Sequence, residues 1–222
     1  RYFGGRRDDG GGRRGVQASG ATILRPNPLA PFPSREGGKE KPTNRMQPPE
    51  RTISSQHIYK GRVVSLRVDT IVLPNGRTSR REIVEHSPSV TIVPVDDRGN
   101  VLLVRQYRKA VEQWMLEAPA GGMEEWEDPE QAARRELQEE TGYTARKLER
   151  LASFYMSPGF CTELMHALLA TGLVPGPASP EEDEHIQVEA VPLTKALQMI
   201  HSGEIQDAKT VASLLLTVDH LK

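Results

Sequence analysis

The chain contains one cysteine, Cys161, in 222 residues. That excludes an intramolecular disulfide framework and a cysteine-built zinc site, and it fits a reducing, cytoplasmic setting. No apolar run approaches the roughly 18–20 residues that a membrane-spanning helix needs, so no membrane partner is expected. Aromatic residues make up only 5% of the chain. The apolar share, 36%, is low for a wholly globular chain, so part of the sequence is expected to build no core.

The missing core is at the start. Residues 1–50 hold nine of the 19 glycines, seven of the 17 prolines, and ten basic against five acidic side chains. Residues 51–222 carry a net charge of −6, so the overall −1 conceals a basic tail on an acidic domain. The tail has neither helical nor alternating periodicity, and it reads as a disordered extension. It lacks the apolar stretch of a secretory signal. Its arginine pairs have no interleaved aromatics, so no nucleic-acid partner is expected. The first methionine is Met46. A natural start near Met46 is expected, with the preceding residues an upstream read-through or an unstructured extension.

From about residue 57 the pattern turns to strands. Residues 62–73 alternate and are rich in β-branched side chains. Asn75-Gly76 predicts a type I′ turn, and residues 78–86 return as a hairpin. A second hairpin is expected from VTIVPV at 90–95, a turn at 96–100 and VLLVRQY at 101–107. Further strands are expected at 114–118, 148–156, 164–171 and 186–191. A long helix begins at Asp128, a good N-cap followed by Pro129, and ends at Gly142. Amphipathic helices are expected at 193–202 and 208–221. Strands with three helices make an α/β or α+β architecture.

The long helix carries Glu136, Glu139 and Glu140 at i, i+3 and i+4, which places three like charges on one face at a repulsive cost. A solvated surface is the plain explanation. Two features favour a site. Ala132, Ala133 and Leu137 form an apolar stripe that fixes the orientation of the helix, and APAGG at 118–122 reads as a turn without bulky side chains. Carboxylates with a backbone carbonyl form an oxygen-only donor set suited to Mg²⁺ or Mn²⁺, cations that serve phosphate substrates.

Gly121, five residues, Glu127, seven residues, and then Arg135-Glu136-Leu137-Gln138-Glu139-Glu140-Thr141-Gly142-Tyr143 resemble the Nudix box. The last position is usually aliphatic, and Tyr143 departs from it. The resemblance implies a Nudix-type α/β/α sandwich with a mixed sheet, and a loop–helix–loop that holds Mg²⁺, with Mn²⁺ able to substitute. Glu136 and Glu140 would be the main ligands, assisted by Glu139 and the carbonyl of Ala120. Glu127 and Arg135 would pair to fix the helix on its loop.

Flanking residues resemble the ADP-ribose pyrophosphatase branch of that family: Tyr59-Lys60-Gly61, Arg80-Arg81-Glu82, Arg105-Gln106-Tyr107-Arg108, EAPAG at 117–121, Ser157-Pro158-Gly159, and GEIQDAKT at 203–210. Pro158 stands 15 residues after Tyr143, where that branch has a proline. The resemblance implies hydrolysis of ADP-ribose to AMP and ribose 5-phosphate. Alternatives are another nucleoside diphosphate sugar, such as a GDP- or UDP-hexose, and a catalytically silent sensor. Arg81 and Arg108 would neutralise the pyrophosphate, while Arg105 should face elsewhere. Glu82 would lie near the adenine, and Arg62 stands where some relatives stack an aromatic or aliphatic residue on the base. The general base would be Glu182 or Glu184 in the acidic loop at 180–185, with Glu163 a secondary contact. His185 and Cys161 have no spaced partners. The expected organisation is an extension at 1–50, a small antiparallel N-terminal strand subdomain at 51–88 that builds a homodimer by strand exchange, and a Nudix hydrolase domain at 89–222.

Overall fold

The structure is a computed structural model, and it describes residues 49–177 and 186–222. The expected extension at 1–50 lies almost wholly outside the described residues. So do Glu182, Glu184 and His185.

Three strands open the fold, β1 (Arg51–Lys60), β2 (Val64–Val72) and β3 (Thr78–His86), paired in that order as an antiparallel sheet. Strand structure thus begins six residues earlier than position 57, and Arg62 lies in the connection between β1 and β2 rather than on a strand. The β2–β3 turn is also not type I′. Leu73 and Arg77 still bond across it, and only Gly76 takes a positive φ, 77°. A three-residue loop of Pro74, Asn75 and Gly76 explains this. Proline fixes a negative φ at the first loop position and moves the single left-handed residue to the last.

The central strands are β4 (Ser89–Pro94), β5 (Asn100–Arg108), β6 (Gln113–Glu117) and β7 (Ala120–Gly122). Here the expected second hairpin gives way to a crossover. β4 and β5 are joined by a tight turn, in which Asp96 Oδ1 accepts the N–H groups of Arg98 and Asn100 at 2.8 Å. They bridge only through Val95 and Val101 and then enter different sheets. β4 is buried along its full length, so it needs partners on both edges, and β7 and the parallel β9 supply them. Residues 120–122 are accordingly a short strand and not the expected turn.

After α1 (Pro129–Thr141) come β8 (Tyr143–Tyr155), β9 (Leu164–Pro175), β10 (Gln187–Pro192), α2 (Leu193–Ser202) and α3 (Ala208–His220). A mixed sheet, ordered β7-β4-β9-β8, forms the middle layer, and β10-β5-β6 forms a third sheet. The two faces of the middle layer follow strand alternation. Val90, Ile92, Leu168 and Ala170 pack on Ala132, Ala133 and Leu137 of α1. Val93, Val95, Ala167 and Leu169 pack on the other side with Leu103, Leu116 and Leu214. This is the expected α+β sandwich, and α1 is clamped across the end of β7. No helix among the described residues is long and apolar enough to cross a membrane.

Candidate active site

Helix α1 is built to present its acidic face at a fixed height. Asp128 accepts the N–H groups of Glu130 and Gln131, and Gln131 returns a bond to the N–H of Asp128. Gly142 ends the helix at φ 72°, with its N–H on Gln138 O. Glu139 and Glu140 therefore fall in the last turn, where the helix dipole already places negative charge, and no basic residue relieves them there. The face calls for a cation.

One is supplied from within the helix. Arg135 spends all five guanidinium N–H groups on protein acceptors. Nε and Nη2 bond Glu127 at 2.7 and 2.9 Å, Nη1 bonds Glu136 at 2.7 Å and Glu139 at 3.0 Å, and Nη2 also reaches Gly122 O at 2.9 Å. The Glu127 side chain is only 1% exposed, so its pair with Arg135 is an internal brace between loop and helix. The bonds to Glu127 first, then those to Glu136 and Glu139, raise the arginine pKa further above its ordinary value, although burial opposes them.

Glu136 and Glu140 are both buried and abut β7. Glu140 Oε2 takes the N–H of Ala120 at 3.2 Å. A Cβ on Gly121 would lie 2.0 Å from Glu136 Oε1, so only glycine lets that carboxylate settle against the strand. Among the described residues no three acidic, histidine or cysteine side chains form a ready cage. Their chemistry still fits a hard divalent cation. The donors are oxygens, Glu136 and Glu140 stand one turn apart, and Gly121 leaves the space that a side chain would fill.

Beside them lies a cavity of about 280 Å³, lined by Arg108, Gly121, Glu163, Asp207 and Lys209 among others. Of the expected contacts, Arg108 and Glu163 therefore reach the space next to the box. Arg62 lies in an adjoining cavity with Arg135 and Glu136. Arg81 and Glu82 do not: they line a separate cavity of about 490 Å³ with Leu66, Gly159 and Phe160, and Arg81 pairs there with Glu50. Arg105 turns away to Glu189 on β10. Exposed Pro158 and half-exposed Cys161 belong to the 157–162 loop. That loop is stitched to β3 through Val84, whose N–H bonds Phe160 O and whose carbonyl takes Thr162 N–H.

Two residues at the cavity had no role in the sequence reading. Glu117, 2% exposed, receives Nε and Nη2 of Arg108 at 2.9 and 2.8 Å. Its second cation is Lys209, which is itself buried. Burial pushes the Glu117 carboxyl up, but Arg108 and Lys209 together outweigh it and hold the group below the usual carboxylate range. Both residues sat in stretches noted only for resemblance, EAPAG and DAKT. Their contact spans 92 positions and leaves no local signature.

A carboxylate-rich helix braced by its own arginine, set against a glycine strand and a cationic cavity, defines a phosphate-handling hydrolase site. The chain belongs to the Nudix hydrolase family: residues 85–214 match the NUDIX domain, and residues 50–84 match the nucleoside diphosphate sugar hydrolase N-terminal domain. Enzymes of this family generally work with divalent metal ions. The chain is 44% identical over 167 residues to the ADP-ribose pyrophosphatase of Bacillus subtilis, an alignment that covers 74% of this chain and 90% of that one. It is equally similar, 44% with the same coverage, to the methanol dehydrogenase activator of Bacillus methanolicus. The GDP-mannose pyrophosphatase of Salmonella arizonae is 38% identical over 158 residues, 66% of this chain and 82% of that one. A solved structure described as an ADP compounds hydrolase shares the fold, with TM-score 0.72 at 23% identity over 79% of this chain and 96% of that one.

Proposed function

We propose that this enzyme hydrolyses the pyrophosphate bond of ADP-ribose, giving AMP and ribose 5-phosphate, with Mg²⁺ as its working cation and Mn²⁺ as a substitute. The observation that carries the reading is that Arg108 shares a cavity with Ala120 and Gly121, the strand against which Glu140 and Glu136 of α1 are set, since a pyrophosphate diester needs both metal charge and a guanidinium. Glu136 and Glu140 would hold the cation, with Glu139 and the Ala120 carbonyl assisting, and the bound cation supplies charge neutralisation at the bond that breaks. Arg135 keeps the carboxylates in place through its five bonds. Arg108 grips the pyrophosphate, and Arg62 borders the space available to the base. Pro158 shapes the loop beside β3.

Arg81 and Glu82, in their separate cavity, are assigned to the adenosine end of a substrate site completed by a second copy of the chain. The base is assigned to Glu182, with Glu184 the alternative. The wholly exposed β1 strand supports a homodimer, and the free Cys161 supports a cytoplasmic location. Similarity to the Bacillus subtilis enzyme favours ADP-ribose, while that to the Salmonella enzyme keeps a GDP-hexose as the second reading.

The test uses EDTA-stripped enzyme with ADP-ribose and restored Mg²⁺, with products separated by ion-exchange chromatography. AMP and ribose 5-phosphate in equal amounts, only with metal present, are expected. Intact ADP-ribose, or release of ADP and free ribose, would overturn the proposal.

A further inference from the structure

Lys209 lies in the first turn of α3, far from the box in sequence, yet its side chain is 10% exposed and lines the same cavity as Arg108 and Gly121. Its ammonium is held between two carboxylates. It donates to Glu117 Oε2 and forms an ion pair with Asp207 Oδ2 at 3.0 Å. Asp207 is in turn fixed as the α3 cap by Thr210 N–H at 3.0 Å, and Thr210 Oγ1 accepts the N–H of Ala118 at 2.8 Å. The start of α3 is thereby bolted to the end of β6, next to the residue that Arg108 grips.

Burying a lysine costs desolvation and side-chain entropy, so its placement calls for a return elsewhere. That return lies in the charge count around Arg108. Glu117 takes Nε and Nη2 of the guanidinium side-on, leaving Nη1 outside the pair, and the Arg108 side chain stays 39% exposed at the cavity wall. With Arg108 as its sole cation, Glu117 would cancel most of the positive charge offered to an incoming anion. A second cation on the same carboxylate frees that charge. It also fixes Glu117, and so fixes the plane of the guanidinium.

We propose that Lys209 is a positioning residue of the active site: by sharing Glu117, it holds the Arg108 guanidinium at the cavity wall with its charge available to the substrate pyrophosphate. The inference rests on the reading that Arg108 binds that pyrophosphate. The ammonium already donates to Glu117 and is ion-paired with Asp207, which favours action through Arg108 over direct contact.

A double-mutant cycle tests it on the full chain with ADP-ribose and Mg²⁺, with thermal melts run in parallel. Lys209→Met and Arg108→Ala should each lower kcat/KM by about tenfold or more, with the loss divided between KM and kcat in the same proportions. The double variant should be no more than about twofold worse than Arg108→Ala alone. Adding Glu117→Gln to Lys209→Met should recover most of the KM, because it removes the unshared negative charge; a purely structural lysine gives no such recovery. If Lys209→Met does not fold, Lys209→Gln carries the same cycle, since it keeps a donor to Glu117 without the charge. Losses that multiply in the double variant would overturn the proposal and mark a direct contact. An unchanged KM and kcat in Lys209→Met would overturn it outright. Normal kinetics in Arg108→Ala would instead remove the substrate role of Arg108, a separate failure.

Discussion

Glu136 and Glu140 differ from the other acidic residues of α1 in being buried against a strand with no Cβ in the way. Changing either to Gln keeps shape and volume but removes a charged ligand. Each variant should lose at least about a hundredfold in kcat while melting within a few degrees of the parent, because the lost charge acts on the transition state. Near-normal turnover of both at saturating Mg²⁺ would remove them from the metal site. Glu117 makes a different prediction, in stability. Its carboxyl is held below the ordinary 4.5 in the fold, so the unfolded chain binds the proton first on acidification. The stabilisation is then complete above the ordinary value and is lost as pH falls through the lower folded one. Glu117→Gln should flatten the acid limb of a denaturation series below about pH 4.5, and identical acid slopes in the two proteins would contradict this. Helical spacing puts Glu136, Glu139 and Glu140 on one face, and it was the apolar stripe and the resemblance to the Nudix box that marked that face as a candidate site. Glu117 and Lys209 were not legible in the sequence, since only the packing of α3 against β6 brings them together.

Among the elements, α1 was readable to the residue, because Asp128, Pro129 and Gly142 each act on the backbone next to them. Asp128→Ala removes a cap that serves two N–H groups and should cost about 1 kcal/mol in urea unfolding, with kcat little changed. A cost near zero would mean that tertiary packing alone holds the first turn. Strand partners were harder to read. A period of two says which side chains share a face but not which strand lies alongside, so 90–95 and 101–107 read as a hairpin although a fully buried β4 needs neighbours on both edges. Asn75-Gly76 misled because Pro74 makes the loop three residues long and leaves only Gly76 left-handed. The acidic stretch at 180–185 carries the remaining prediction at this scale. Glu182→Gln should lower kcat by about 10²–10⁴-fold with KM nearly unchanged, and Glu184→Gln should do less. The reverse ranking would move the base to Glu184.

At the scale of the whole molecule, β1 is the unusual element. All ten of its residues are exposed, and Ile53 and Ile58 are each 52% exposed, apolar surface that a strand seldom leaves to water. Light scattering should therefore give twice the 24.7 kDa chain mass, and Ile53→Glu with Ile58→Glu should shift it toward the single-chain value. A single-chain mass for the unmodified protein would contradict the dimer and leave the Arg81 cavity without its second half. Substrate choice belongs to this scale as well, because under the proposed assignment it would depend on surfaces from β3, the box and α3. The most direct measurement is a one-pot competition, with equimolar ADP-ribose, GDP-mannose and UDP-glucose, Mg²⁺ and limiting enzyme, and the nucleoside monophosphates resolved over time. AMP should form first and fastest. GMP or UMP appearing about ten times faster than AMP would contradict the assignment.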